Sequence, residues 1–381
     1  MGKEPTEHPE GRGSGRMGAA RKSGLFAGVA GLTAVTAAAG VSSAKALAHR
    51  RSIVDAYAGE DFGRLDTDRG SVVTTADGVD LVVREVGPAN APLTVVFAHG
   101  FCMRMASFHF QRAALEQQWG DQVRMVFYDQ RGHGSSSSAP VQSYSVAQLG
   151  RDLEDVLQVM VPRGPVVVVG HSMGGMTVLS HARQFPECYG RRSRRSVVGA
   201  ALISSAAEGV SRSPLGEILE NPALEAVRFM ARYAPKLVHR TRAVSWAALR
   251  PILKTASFGS DQVSPAVVDC AESMIHDTEI STLVEFLHAL EVHDETAALP
   301  VLARVPTVIA CGDRDLLTPL RYSQEMAAVL PDCELVVVPG AGHLVMLEAP
   351  DVINDALLRL VGRATPAPLV AFARRSRSRR G

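Results

Sequence analysis

The amino-acid sequence predicts an α/β fold, in which a mostly parallel sheet carries helices on both faces and a helical segment is inserted. Three observations support this prediction. From about residue 70, short apolar runs alternate with stretches of helical spacing, the pattern of strands covered on both faces. A later stretch of about 100 residues, between Ser205 and Pro306, holds no strand pattern. One apolar run also passes into a helical pattern through "GHSMGG", with a serine between glycines.

The elements follow one another in the order β-β-β-α-β-α-β-α-β, which is typical of a doubly wound sheet. Residues 71–87 predict a hairpin that turns at Asp77 and Gly78. The elements after the hairpin are strands at 93–100, 123–132, 165–170, 197–205, 305–313 and 333–340, and helices at 105–119 and 145–161.

The same pattern divides the chain into segments. They are a basic N-terminal arm with an apolar stretch (1–51), the first part of the core (52–210), a helical cap (211–297), the second part of the core (298–365) and a basic C-terminal tail (366–381). The strand-free stretch is too long for a simple connection, so it predicts an inserted subdomain of amphipathic helices.

The cap is expected to cover a pocket. Its large apolar residues either line that pocket or form the cap's own core; they are Phe229, Met230, Trp246, Leu249, Phe258, Leu283, Phe286 and Leu287. The cap histidines His276, His288 and His293 are expected to be exposed or to cap helices.

The composition is that of a globular protein, with 46% hydrophobic residues, 21% charged residues and a formal net charge of +1 over 381 residues. A charge balance near zero argues against a nucleic-acid partner. The five cysteines are scattered and form no CxxC pair, which predicts neither a disulfide framework nor a zinc site. No metal-binding or phosphate-binding motif occurs, so no metal and no cofactor is implied.

The N-terminal arm contains an uncharged stretch at residues 24–42 that follows Arg21 and Lys22. Three interpretations are open: a signal anchor with its basic flank inside, a signal peptide cleaved after "AKA" or "ALA", and an Ala-rich soluble helix. Met17 is an alternative start. We expect membrane association through 24–42 rather than a cytoplasmic or secreted protein. The arginine-rich tail is either solvated or in contact with anionic lipid.

The serine of "GHSMGG" is Ser172, which predicts a nucleophile elbow between a strand and a helix. In such a turn the backbone of the nucleophile is strained. Side chains two residues before and two residues after the nucleophile would collide, and both positions are glycine here, Gly170 and Gly174. The helix that follows directs its dipole at developing negative charge. The alternative is a Gly-Ser turn without chemistry, but the flanking strand and helix patterns favour the elbow.

At this point the chain resembles the α/β-hydrolase family over roughly residues 70–362. The motifs that carry the resemblance are His99-Gly100, Asp129 to Ser136, Gly170 to Gly175, Gly312 to Asp315, and Gly342-His343. They occur in the family's order. The resemblance implies the α/β-hydrolase fold with an inserted helical cap.

Serine needs a base, and the base needs an orienting acid. His343 lies between a strand and a helix pattern, at the sheet edge where ligand sites of open α/β sheets form. The family pattern places the acid three residues after the glycine, hence Asp315, with Asp313 as the alternative. His171 is expected to point elsewhere, and His133 to be structural.

The resemblance also implies an oxyanion hole of two backbone N–H groups. One is that of Met173, directly after the nucleophile, and the other that of Phe101, in the loop that begins with Gly100. Nearby Cys102 is interpreted as a buried apolar residue rather than a reactive thiol.

The expected function is hydrolysis of a small, apolar carboxylic ester by an esterase or lipase-like enzyme through Ser172, Asp315 and His343. Serine at the elbow argues against the family members that use a carboxylate nucleophile. C–C bond hydrolase, thioesterase, lactonase and cofactor-free perhydrolase activities remain open, as does a receptor that binds small ligands with negligible turnover.

Overall fold

The computed structural model describes residues 55–190, 194–209 and 256–365. The predicted N-terminal arm (1–51), most of the predicted cap (211–255) and the predicted tail (366–381) lie outside these residues. The uncharged stretch 24–42 therefore lies outside them too. Among the helices that are described, none combines the length and the apolar character that crossing a bilayer requires.

One eight-stranded sheet organises the described residues. Its strands are β1 Arg69–Thr74, β2 Asp80–Val86, β3 Leu93–Ala98, β4 Val123–Tyr128, β5 Gly164–His171, β6 Arg195–Ile203, β7 Thr307–Gly312 and β8 Cys333–Val338. Their order across the sheet is β1-β2-β4-β3-β5-β6-β7-β8. Strands β1 and β2 run antiparallel to each other, β2 runs antiparallel to β4, and the six strands from β3 to β8 are parallel to one another.

This arrangement confirms the predicted α/β fold and its mostly parallel sheet. The antiparallel start is the predicted hairpin: Gly78 has φ +85°, and its N–H bonds to the carbonyl of Thr75 at 2.9 Å. The interior strands β3 and β7 are buried at every position, as their continuous apolar runs predicted.

Nine α-helices are described outside the sheet. They are α1 His109–Trp119, α2 Val146–Met160, α3 Met173–Gln184, α4 Pro265–Asp277, α5 Ile280–Glu291, α6 Leu299–Leu302, α7 Leu320–Val329, α8 Val345–Glu348 and α9 Pro350–Ala364. Several begin at residues that favour a helix start. The Ser145 side chain caps α2 by accepting from Gln148 N, and Pro265 and Pro350 occupy the first positions of α4 and α9.

Helices cover both faces of the sheet and form an apolar layer on each. On one face, Leu115 of α1 and Leu357 of α9 pack into a cluster with alternate strand residues. On the other face, Leu153 of α2, Leu179 of α3 and Met326 of α7 do the same. The two layers hold the strands rigidly, so the loops at their carboxyl ends are supported from both sides.

Residues 256–297, the described part of the predicted cap, contain helices α4 and α5 and no strand. Both helices bury apolar residues against the core, among them Val267 and Met274 of α4 and Leu283 of α5. The boundaries of the cap stay a prediction, because residues 211–255 lie outside the described residues.

Candidate active site

Ser172 lies where β5 ends and α3 begins, in a backbone conformation that non-glycine residues rarely adopt, with φ +51° and ψ −118°. Surrounding hydrogen bonds hold this strained turn. The Ser172 N–H donates to the carbonyl of Ile203 at 2.8 Å. The Ser172 carbonyl accepts from the Ser205 hydroxyl at 2.8 Å and from the N–H of Gly175 at 2.8 Å.

Glycines permit this turn because neighbouring backbone passes too close for a side chain. A Cβ atom at Gly170 would lie 2.2 Å from the carbonyl oxygen of Gly174. One at Gly174 would lie 2.0 Å from the carbonyl oxygen of Ala98. Gly100, two residues after the neighbouring strand β3 ends, approaches so closely that an added Cβ would lie 3.2 Å from Ser172 Cβ. The three glycines therefore bring the 99–105 loop and the α3 terminus together around Ser172.

His343 bridges Ser172 and Asp315. Its Nε2 lies 2.9 Å from Ser172 Oγ, and its Nδ1 lies 3.1 Å and 3.0 Å from the two carboxylate oxygens of Asp315. Asp313, the alternative acid, is turned away, and its Oδ1 accepts from the Gly340 N–H at 2.7 Å. Ser172, Asp315 and His343 are buried, with 9%, 4% and 5% of their surfaces exposed.

Asp315 is held as a carboxylate by further donors besides His343. The N–H groups of Leu317 and Thr318 both donate to its Oδ1 at 2.9 Å, and the Thr318 hydroxyl donates to its Oδ2 at 2.9 Å. Burial alone would raise the pKa of Asp315, but His343 and the Thr318 donors outweigh it and lower the pKa below its ordinary value. The Asp315 carboxylate can therefore accept a hydrogen bond from a protonated Nδ1 of His343.

His171 supports the loop that carries His343. Its Nε2 lies 3.0 Å from the His343 carbonyl oxygen, which can only accept, so Nε2 carries the proton. Burial, reinforced by the neighbouring His343, lowers the pKa of His171 to about 3. This imidazole is therefore neutral, and its hydrogen bond goes to the His343 backbone.

Two backbone N–H groups beside Ser172 are left without a backbone acceptor in the described ranges. One belongs to Met173, the first residue of α3, and the other to Phe101, which follows Gly100 in the loop after β3. A pair of N–H donors, one of them at a helix N-terminus, can bind an oxyanion.

The described cap residues lie close to the loops around Ser172. Phe286 is fully buried and contacts Phe101, with ring centroids 6.4 Å apart. Leu283 and Leu287 are also buried, and Phe258 is partly buried. The other predicted lining residues, Phe229, Met230, Trp246 and Leu249, lie outside the described residues.

The cap histidines differ from one another. His276 and His288 are exposed, as the sequence predicted. His293 is buried, so the prediction of exposure is wrong for it, whereas the capping interpretation agrees with its contact to a carbonyl in the last turn of α5. Its two ring nitrogens lie 3.1 Å from Leu290 O and 3.2 Å from Ala206 O, which tie the end of α5 to the loop after β6.

One cluster in the described part of the chain could offer metal ligands. Atoms of Glu154, His181 and Cys188 lie within 4.8 Å of one another, all buried. The Arg195 guanidinium already forms an ion pair with Glu154 and lies 3.9 Å from Cys188 Sγ. Burial also raises the pKa of the Cys188 thiol, which disfavours the thiolate that binds metals. The positive charge in this cluster is thus supplied by arginine.

Two residues support the site that were not among the predicted site residues. Thr318 follows Asp315 by three residues, a spacing at which a hydroxyl reaches back to a carboxylate in a turn. The bond from His171 to the His343 carbonyl spans 172 residues and has no local signal. The assembled groups can activate a hydroxyl for attack on a carbonyl, because they join a nucleophile, a base, an acid and two N–H donors.

Comparisons with known proteins identify the family and the fold. A model of the alpha/beta hydrolase family matches residues 95–356. The Escherichia coli O7:K1 (strain IAI39) protein named "Putative carbamate hydrolase RutD" is 28% identical over 273 residues, which cover 71% of this chain and 91% of the relative.

Solved structures share the fold. A thermophilic esterase from Thermogutta terrifontis has a TM-score of 0.62 at 22% identity and is covered over 100% of its length by 78% of this chain. A hydrolase from Pseudomonas aeruginosa PA01 has a TM-score of 0.58 at 25% identity, with 78% of this chain covering 99% of it. The stretch matched by the family model contains Ser172, Asp315 and His343.

Proposed function

Because the chain belongs to the alpha/beta hydrolase family and is thus a hydrolase, we propose that it cleaves carboxylic esters through Ser172, His343 and Asp315. The contact that carries this proposal is the 2.9 Å separation between His343 Nε2 and Ser172 Oγ. A serine hydroxyl is a weak nucleophile, and an adjacent imidazole makes it reactive by removing its proton as the oxygen attacks.

The first half of the reaction acylates the serine. Ser172 Oγ attacks the ester carbonyl carbon, His343 Nε2 takes the hydroxyl proton, and the carbonyl oxygen becomes an oxyanion. The N–H groups of Phe101 and Met173 bind this oxyanion, and each such donor contributes roughly 10²- to 10³-fold in rate. His343 then gives its proton to the leaving alcohol as the bond to that alcohol breaks, which leaves an acyl-Ser172 ester.

The second half releases the acid. His343 removes a proton from water, the resulting hydroxide attacks the acyl carbon, and the proton returns to Ser172 Oγ as the carboxylic acid departs. Asp315 remains ionised throughout, accepts the N–H of His343 Nδ1, and stabilises the imidazolium formed in each half-reaction. No cofactor takes part in this scheme.

The apolar side chain in the loop beside Ser172 favours an apolar substrate. Phe101, which carries one of the proposed oxyanion N–H groups, is only partly buried and packs on the fully buried Phe286. An acyl or alcohol group of an ester would contact the Phe101 ring, which fits apolar groups better than charged ones.

Carbamate hydrolysis is the second candidate. It rests on the similarity to the relative named as a carbamate hydrolase, which extends over 91% of that protein. A carbamate carbonyl can be attacked by the same serine, so the triad does not discriminate between the two substrates. The difference must come from groups that contact the substituent on the carbonyl carbon.

A substrate series with one leaving group tests the proposal. p-Nitrophenyl acetate, butyrate and octanoate would be compared with p-nitrophenyl N-methylcarbamate, with Ser172→Ala as the control. We expect ester kcat/KM to exceed the carbamate value by roughly tenfold or more, equivalent to about 1.4 kcal/mol. A preference for the carbamate would support the second candidate.

Labelling by a fluorophosphonate, followed by peptide mapping, identifies the nucleophile independently of substrate. The proposal expects the label on Ser172. Binding of small molecules without labelling and without turnover of any ester or carbamate would contradict it and indicate a receptor.

A further inference from the structure

The 99–105 loop, which carries Phe101, contains a strained turn. The Met103 N–H bonds back to the Gly100 carbonyl at 3.2 Å, which closes a four-residue turn. The third residue of that turn, Cys102, has φ +56°. A positive φ at this position is a feature of type II turns, where glycine is usual. The conformation therefore persists only if other contacts hold the Cys102 peptide in place.

The backbone N–H of Cys102 is held by His133. The Cys102 N–H donates to His133 Nε2 at 3.2 Å. The other ring nitrogen, Nδ1, lies 3.0 Å from the Arg131 carbonyl oxygen and therefore carries the proton. This tautomer leaves Nε2 as an acceptor. Burial lowers the pKa of His133 to about 4, although the Arg131 carbonyl opposes the shift, so the ring is neutral near pH 7.

The same turn sets the direction of the Phe101 N–H. The Gly100 carbonyl, which belongs to the same peptide unit, accepts from His99 Nδ1 at 2.7 Å and from the Met103 N–H. In a trans peptide the N–H points opposite to the carbonyl. Gly100 adjoins Ser172, so holding its carbonyl turned inward leaves the Phe101 N–H available beside the nucleophile.

Other residues near His133 reinforce this attachment. Gln130 binds His99 twice, through its N–H to Nε2 at 2.9 Å and through its side-chain amide to the His99 carbonyl at 2.6 Å. Asp129 accepts the Met105 N–H at 2.8 Å. The 129–136 loop is thus hydrogen-bonded to both ends of the 99–105 loop. His133 makes the hydrogen bond to the middle of that loop.

We propose that His133 is a positioning residue for the hydrolytic reaction, because its Nε2 holds the Cys102 peptide and thereby keeps the Phe101 N–H directed at the developing oxyanion. The inference rests on the proposed function. Without the acceptor, the turn can relax the positive φ of Cys102 and move the Phe101 N–H out of line.

A purely structural role would depend on the ring instead. The His133 ring packs against His99, Phe286 and Phe101, with centroids 5.3 Å, 5.4 Å and 6.1 Å away. Variants can separate packing from hydrogen bonding. His133→Phe keeps an aromatic ring and loses the acceptor. His133→Gln loses the ring but keeps an oxygen near the position of Nε2, and His133→Leu matches it in size without an acceptor.

The test measures kcat and KM for p-nitrophenyl butyrate in the full chain, together with Tm and inhibition by an aryl boronic acid, whose tetrahedral adduct mimics the oxyanion. We expect His133→Phe and His133→Leu to lower kcat by roughly 10- to 100-fold with KM within about threefold of wild type. Boronate inhibition should weaken by a similar factor. His133→Gln should recover most of kcat.

The opposite order, with His133→Phe active and His133→Gln impaired, would overturn the inference in favour of ring packing. Equal kcat in all variants would overturn it as well. If His133→Phe does not fold, the Gln and Leu pair still decides, since both lack the ring and differ in the acceptor. A wild-type chain that neither hydrolyses esters nor labels at Ser172 removes the proposed function, and this inference falls with it.

Discussion

The hydroxyl of Thr318 donates a hydrogen bond of 2.9 Å to Oδ2 of Asp315. The same hydroxyl oxygen lies 3.3 Å from His343 Nδ1, so Thr318 lies against both the acid and the base. This contact steadies the carboxylate that orients the imidazole. Thr318 can also be replaced while Ser172, His343 and Asp315 themselves are kept, so its contribution can be measured separately.

Thr318→Val is expected to lower kcat by about tenfold, because a hydrogen bond to a charged group contributes about 1.5–3 kcal/mol. Thr318→Ser keeps the hydroxyl and should retain most of the activity. Thr307→Val, at a buried threonine of β7 whose hydroxyl donates to Val305 O, serves as the control. Steady-state kinetics that give equal kcat for Thr318→Val and wild type would contradict a role for this bond.

Ser172 and His343 are expected to act as one unit. Ser172→Ala and His343→Ala should each lower kcat by roughly 10⁴- to 10⁶-fold, and the double variant should be little worse than either. Asp315→Asn should lower kcat by a smaller factor, because Ser172 and the His343 imidazole remain in contact. Steady-state kinetics on purified protein, with the concentration taken from absorbance, measure this. Additive losses in the double variant, or substantial activity in Ser172→Ala, would refute the proposed chemistry.

Gly174→Ala should damage folding as well as activity. The added Cβ would lie 2.0 Å from the carbonyl oxygen of Ala98, so the elbow or β3 must move. Overpacking of this kind costs about 1–3 kcal/mol or more, which predicts a Tm lower by about 2–10 °C. Gly362→Ala, in α9, is the matched control, because its added Cβ would meet no atom of the described residues within 4 Å. Its Tm should be unchanged or slightly higher, since alanine favours helices.

The stability of the fold should depend on pH through Glu154. This carboxylate accepts from His181 Nε2 at 3.0 Å and from Gln158 at 2.9 Å, and it forms an ion pair with Arg195. Burial would raise the pKa of Glu154, but these donors lower it from 4.5 to about 2. A depressed acid pKa contributes stability that is present above about pH 4.5 and is lost as the pH falls towards 2.

Glu154→Gln should therefore lower the free energy of unfolding by about 2 kcal/mol at pH 7, which is less than the whole pKa shift corresponds to because solvent screens the partly exposed Arg195. Thermal melts from pH 7 to pH 3 should show the difference from wild type shrinking with acidity. Glu116→Gln removes an exposed partner of Arg112 and should have little effect at any pH. A penalty for Glu154→Gln that does not change with pH would mean that its carboxylate contributes through packing alone.

We propose that residues 24–42 anchor the chain to a membrane, since the stretch is uncharged and follows a basic flank. After a carbonate wash, the full chain should stay in the membrane pellet, and a chain beginning at residue 52 should be soluble. Full-length protein with an intact N-terminus in the soluble fraction would rule the anchor out. A shortened N-terminus would instead indicate a cleaved signal peptide.

The sequence alone determined the layers of the fold and the elbow because both depend on local rules. Burial of a strand on two faces requires a continuous apolar run, and this requirement located β3, β5 and β7. The elbow needs glycine where backbone approaches within about 2 Å of the missing Cβ, and the spacing of Gly170 and Gly174 around Ser172 meets that requirement.

Only the tertiary structure decided which groups meet. Asp313 and Asp315 follow the same strand two residues apart, and one turns to the Gly340 N–H while the other contacts His343, 28 residues away. The bond from His171 to the His343 loop likewise depends on the order of strands in the sheet. Steric and periodic rules act between residues that are close in sequence. Contacts such as these form only when the carboxyl ends of separate strands lie at the same edge of the sheet.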